Sequence, residues 1–278
     1  MREFRIGPWV GEFGYWILYV IPFINGLREL YPDSHITIAG FQEEEPYLHD
    51  VHDTFIGYPW WPSRRGRAIC EDVPADIIEL HNIFNATHSL FNLSQPEFKA
   101  FIQDAPLLIR RRMGPAENID EKQVVFSTRV EENLQDTSRN WSKSEWCELA
   151  KLFYMHGWKV AACGPNINYF PPYVEIYRTC LEIASKSFFG VCDCGGGQHT
   201  LNMCGVPTIV HATQEWSHLY DLNHPNHRNF LETLTQFQPV MSMAHYTPIM
   251  RFNDAMKFAK SIKGQPRYKH TEIIYERR

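Results

Sequence analysis

The sequence predicts an α/β protein built as two doubly wound halves, and three observations carry that reading. Apolar runs of strand length alternate with longer amphipathic stretches at the start of the chain and again from Gln123 to His211. A polar, proline-bearing segment, Pro115 to Glu121 (PAENIDE), separates the two series. The length of 278 residues exceeds what a single hydrophobic core usually organises. The halves are therefore placed at 1–118 and 119–278, with the last clear helix, Asn253 to Ile262, as an element that crosses back to the first.

In the first half, Phe4 to Pro8 reads as a strand, and Gly11 to Gly14 as a glycine-bounded loop. Tyr15 to Leu30 is a strongly apolar helix stopped by Tyr31-Pro32-Asp33, and Ile36 to Ala39 returns as a strand. Such a βαβ opening implies a parallel sheet, because the crossover helix must cover a sheet face. From Gln42 to about Asn118 the chain is rich in His, Pro and aromatics, and its strands cannot be ordered from pattern. The second half opens at Gln123 to Ser127 (QVVFS). Ser142 with Glu145 makes a capping box for a helix ending at Gly157, and Trp158 to Cys163 is the next strand. A helix near Val174 to Ala184, a strand at Ser187 to Val191, a helix at Gln198 to Cys204 and a strand at Thr208 to His211 complete the series.

Hydrophobic content of 44% and aromatic content of 14% suffice for packed cores. The first ten residues (MREFRIGPWV) lack a signal-peptide core and no apolar run approaches membrane-spanning length, so a soluble, intracellular protein is expected. Seven cysteines is an odd number, and Cys163, Cys180, Cys192 and Cys204 fall in apolar segments, as reduced thiols do. A net charge of −5 gives no global attraction to nucleic acid or anionic membrane.

The richest local pattern is Cys192-Asp193-Cys194-Gly195-Gly196-Gly197-Gln198-His199, set between an apolar strand and a helix start. Glycines allow a tight turn, and the free N–H groups and dipole of a helix start favour an anion. Gly195, Gly196, Gly197, Gln198 and His199 are thus candidate phosphate-binding residues, with Asp193 a further candidate binding residue beside them, against the alternative of a plain strand-to-helix connection. A second pattern, Trp60 and Trp61 followed by Arg64, Arg65 and Arg67, suits stacking on sugars or bases, and Arg110 to Arg112 form another basic run; both also suit a solvated surface. Cys192, Cys194, His199 and Cys204, or His49-Asp50-Val51-His52-Asp53, contain zinc-ligand types, but neither has paired C-x-x-C or H-E-x-x-H spacing. No metal and no resident cofactor are expected.

The order of these pieces resembles the glycosyltransferases of GT-B architecture, closest in pattern to the ADP-heptose:lipopolysaccharide heptosyltransferases. Gly11-Glu12-Phe13-Gly14, the apolar helix with Pro22, and Leu27 to Pro32 before a strand resemble that family's opening. Val124 to Ser127, then Arg139-Asn140-Trp141 and the helix from Ser144, resemble the start of its donor domain. Gly197-Gln198-His199 with Gly205-Val206-Pro207 is similar to its Asp-Ser-Gly-Pro-Met-His motif and downstream Gly-Val-Pro. Two departures stand out. Asp193 lies one residue farther from His199 than the family's aspartate, and Tyr15 replaces an aspartate thought to be the catalytic base.

The resemblance implies two Rossmann-like domains facing a central cleft, with a nucleotide-sugar donor on the second domain and an acceptor on the first. It further implies an inverting, metal-independent sugar transfer, and no Asp-X-Asp element of the metal-dependent class is present. Glu12 is the candidate base, with His49, Asp50 and His52 behind it. Arg129 or Arg139 would supply a cation to the diphosphate, and Trp60, Trp61, Arg64 and Arg65 would meet the acceptor. That acceptor is a glycan or glycolipid, or alternatively a DNA base. A non-catalytic nucleotide-sugar or glycan binder is the third alternative, given Tyr15.

Overall fold

The computed structural model describes residues 1–10, 14, 16–48, 50–58, 75–90, 93, 95–110, 119–128, 141–164, 167–177, 179–193, 196–211, 240–243, 247–264 and 273–276. The chain divides into two compact units, one comprising Met1–Arg111 with Thr271–Arg278 and the other Arg112–His270.

In the first unit β1 (Glu3–Ile6), β2 (His35–Phe41) and β3 (Thr54–Tyr58) form a parallel sheet in that order. The crossover between β1 and β2 is α1 (Ile21–Leu30), which buries Phe23, Ile24 and Leu27 and stops at Tyr31, whose N–H donates to Leu27 O. The expected helix from Tyr15 is regular only from Ile21, because Trp16–Val20 winds as a π turn. Pro22 explains the break: it has no N–H to give the Leu18 carbonyl, so the α-helical ladder is interrupted there. The middle of the chain, which pattern alone left unordered, holds a 3-10 turn at Gln42–Leu48, α2 (Ala75–Phe84), α3 (Gln95–Asp104) and β4 (Leu107–Arg110).

The second unit carries a six-stranded, all-parallel sheet. Its elements in chain order are β5 (Asp120–Ser127), α4 (Lys143–Met155), β6 (Lys159–Cys163), β7 (Val174–Tyr177), α5 (Cys180–Ala184) and β8 (Ser187–Asp193). They continue with α6 (Gly196–Met203), β9 (Thr208–His211), β10 (Val240–Met243) and α7 (Pro248–Ile262). The spatial order is β10-β9-β8-β5-β6-β7, so the chain leaves β5 on one side and returns on its other side at β8.

The core of this unit is aromatic, with Phe126, Trp146, Phe153, Phe189, Phe252 and Phe258 in one buried cluster. Phe153 packs edge-on against Phe252 at 5.0 Å, which locks α7 onto α4. Such tilted pairs add about 0.5–1.5 kcal/mol beyond area burial. The capping box is present as read, with Ser142 Oγ accepting from the Glu145 N–H at 3.2 Å and the Glu145 carboxylate accepting from the Ser142 N–H at 2.8 Å.

One expectation is corrected here. Val174–Tyr177 is the edge strand β7 and the helix begins only at Cys180, since Val174 and Ile176 find backbone partners along β6. The C-terminal helix α7 belongs to the second unit and packs there on α4. β11 (Ile273–Glu276) belongs to the first unit, antiparallel to β4 with Ile273 opposite Arg110.

Candidate functional site at the carboxyl edge of the second sheet

In an open parallel sheet the crevice for a ligand opens at the carboxyl ends of the strands, where the winding reverses. Here that point lies between β5 and β8, whose last residues pair as Ser127 with Cys192. Because α4, α6 and α7 each follow a strand of this sheet, all three begin at this edge, α4 with one N–H capped by Ser142 and α7 with one capped by Thr247.

β8 runs through Asp193, so Cys192 and Asp193 belong to the strand rather than to a glycine turn. Gly196 and Gly197 are likewise the first two residues of α6, which starts before the expected Gln198. The reason for Gly197 is packing: a Cβ there would strike Ser127 Oγ at the end of β5 and lie 3.5 Å from Cys180 Sγ. Gly164 does the same service one strand over, with φ of +128° and the Thr128 carbonyl 2.7 Å from where a Cβ would stand.

Around this point the structure gathers polar side chains in an otherwise apolar interior. Thr128, Asp193 and Gln198 are buried at 3%, 2% and 0% exposure. Tyr169 lies beside Thr128 and Asp193; burial pushes its phenol well up, and the Asp193 carboxylate pushes it in the same direction. Arg251, in the first turn of α7, is fully buried, with Cζ 3.3 Å from the centre of the Trp141 ring. Burial lowers its pKa to about 9, while Asp193 and Glu145 hold it up. Among the described residues no acceptor or donor in hydrogen-bonding geometry reaches Thr128 Oγ1, Tyr169 Oη, either amide atom of Gln198, or any nitrogen of Arg251.

His199 stands in the first turn of α6. It is 5% exposed, and burial lowers its pKa to about 3, so it is neutral at neutral pH and brings no positive charge to an anion. The unfolded chain takes up this proton near pH 6.5 and the folded chain only near 3, so the contribution to stability is complete above 6.5 and is lost as the pH falls below it. Denaturant unfolding between pH 7 and 4.5 should therefore show stability falling by up to about 1.4 kcal/mol per pH unit from this group. His81 and His88 are lowered by burial too, so the effect is read as the difference from His199→Gln, and equal slopes would refute it.

The candidates of the first unit separate by edge. Asp53 precedes β3 and accepts from the Ile36 N–H (2.7 Å) and from Arg28 (2.6 Å), contacts that hold its carboxyl below the usual range. Asp53 and the neighbouring His52 thus sit at the amino edge of that sheet, opposite the edge where ligands bind, and His52 Nδ1 is engaged with Leu48 O at 3.1 Å. The carboxyl edge carries instead Glu44, which sequence reading passed over: it is 2% exposed and accepts from the Phe41 N–H at 3.0 Å. Arg110 lies in β4. Glu12, His49, Trp60, Trp61, Arg64, Arg65, Arg67, Arg129, Arg139 and Gly195 lie outside the described residues. Among the described residues no three His, Cys, Asp or Glu side chains group as metal ligands, and no helix is long and apolar enough to cross a membrane.

No family model and no curated protein matches the sequence. Solved structures do. The E. coli ADP-heptose lipopolysaccharide heptosyltransferase II superposes with a TM-score of 0.56 at 13% identity, over 95% of this chain and 100% of that one. The E. coli heptosyltransferase WaaC with ADP gives 0.54 at 12% identity, over 94% and 99%. A glycosyl transferase of family 9 from Veillonella parvula gives 0.51 at 13%, over 95% and 90%. At such identities the likeness is one of fold: the chain has the mixed α/β, parallel-sheet fold of the heptosyltransferases.

Proposed function

We propose that the chain is a glycosyltransferase that moves a sugar from a nucleotide-sugar donor to a hydroxyl of a glycan or glycolipid, with inversion and without a metal ion. The observation that carries this reading is the group formed by Thr128, Tyr169 and Gln198 at the winding reversal, buried and lacking partners among the described residues. Leaving one buried polar group unsatisfied costs about 1–3 kcal/mol, so several at one crevice are the mark of a site completed by a polar ligand. A nucleoside diphosphate fits, because its oxygens accept from hydroxyl, amide and helix-start N–H donors together. The fold likeness supports the choice, since solved relatives hold ADP and ADP-2-deoxy-2-fluoro heptose.

In such a transfer the acceptor oxygen attacks the anomeric carbon as the bond to the β-phosphate breaks, and a base takes the acceptor's proton. The donors Thr128, just after β5, and Gln198, in the first turn of α6, would offset charge on the departing diphosphate. Thermal melts with ADP, UDP, GDP and TDP at millimolar concentration test the reading. One of them should stabilise the protein, by about 2.7 kcal/mol at a hundred times its Kd. Absence of a shift with all four would sink it. Binding of a donor without turnover in the presence of any acceptor would instead favour the non-catalytic binder that Tyr15 leaves open.

A further inference from the structure

Among the charged groups described in the second unit, Arg251 is the one whose burial is hardest to explain. It is fully buried, yet Nε, Nη1 and Nη2 reach no acceptor among the described residues. Trp141 covers one face of its guanidinium at 3.3 Å, and Trp141 is itself fixed edge-on against the buried Trp146 at 5.3 Å. A stacked ring returns part of the desolvation cost but satisfies none of the in-plane N–H donors, which point outward around the rim of the stack. The charged neighbours acting on Arg251 are Asp193 and Glu145. Glu145 is occupied by the α4 cap, accepting from the Ser142 N–H and from Ser142 Oγ at 2.7 Å. Asp193 is one carboxylate against a fork that can serve two oxygens at once.

We propose that Arg251, held flat by Trp141, is the cation that binds the donor's diphosphate. The inference rests on the donor reading above and replaces Arg129 and Arg139 as the cation. A planar guanidinium matches two phosphate oxygens side by side, and its position in the first turn of α7 adds a helix N-terminus to the same anion. As the anomeric C–O bond breaks, its electron pair moves to the β-phosphate oxygen, the acceptor oxygen forms the new bond, and the acceptor's proton goes to the base. Arg251 then faces an anion that has gained charge, so it serves the transition state as well as binding.

The experiment compares native protein, Arg251→Met and Arg251→Lys, using the nucleoside diphosphate that stabilises native protein most and the corresponding nucleoside. Arg251→Met should weaken diphosphate binding about a hundredfold and leave nucleoside binding unchanged, because only charge-assisted bonds to phosphate are lost. Arg251→Lys keeps the charge without the fork and should weaken it about tenfold, which decides the matter if the methionine variant does not fold. Diphosphate affinity equal to that of native protein in a folded variant, or equal losses for nucleoside and diphosphate, overturns the role of Arg251 and leaves the donor reading standing. Failure of native protein to bind any nucleoside diphosphate overturns both.

Discussion

Glu12→Gln is expected to lower sugar transfer by roughly two to four powers of ten while leaving donor affinity nearly intact. An acceptor hydroxyl is a weak nucleophile at neutral pH, so direct displacement needs a group that takes its proton as the new bond forms. Tyr15 stands where the resembling family has its aspartate, and a phenol with a pKa of about 10 stays protonated at neutral pH. Glu12 follows β1, which ends at Ile6, and the loop after a parallel strand's carboxyl end is where catalytic side chains are placed in such sheets. Asp53 is at the other edge, tied to Arg28. Initial transfer rates, measured beside donor Kd, provide the check. A rate near that of native protein would move the search to Glu44, which lies at the carboxyl edge of the same sheet.

Gly197→Val is expected to destabilise the second unit by more than about 3 kcal/mol, the upper end of ordinary overpacking costs. The Cβ alone would strike Ser127 Oγ, and the branched side chain must also enter the space beside Cys180 Sγ. Ser127 ends β5, which is paired on both sides by β6 and β8, so it cannot yield without disturbing the centre of the sheet. α6 would have to lift instead, taking with it Gln198, His199 and Leu201, each buried to 5% exposure or less. Urea unfolding followed by tryptophan fluorescence measures the loss. A variant as stable as native protein that fails only in nucleotide binding would show that the glycine serves approach to phosphate and not helix packing.

By itself the sequence determined the elements whose signals are local. Alternation and apolar runs placed β5, β6, β8 and β9 within three residues at either end, and the Ser142 and Glu145 spacing predicted a cap that forms as drawn. Those signals are legible because strand burial and N-capping depend on residues close in the chain. Where the signal depended on a distant neighbour, only the tertiary structure decided. Val174–Tyr177 is a strand because β6 offers its edge, and Gly197 is a packing residue because Ser127, far away in sequence, lies beneath it. His199 read as a phosphate contact beside three glycines; the fold buries it and keeps it neutral. Arg251 had no motif at all: a lone arginine on an amphipathic helix reads as solvated surface until Trp141, Asp193 and Glu145 are brought around it. Hydrophobic patterning says which faces are buried, but it does not say which polar groups will be carried inside with them; that follows from which helix starts and strand ends the winding order brings to one edge.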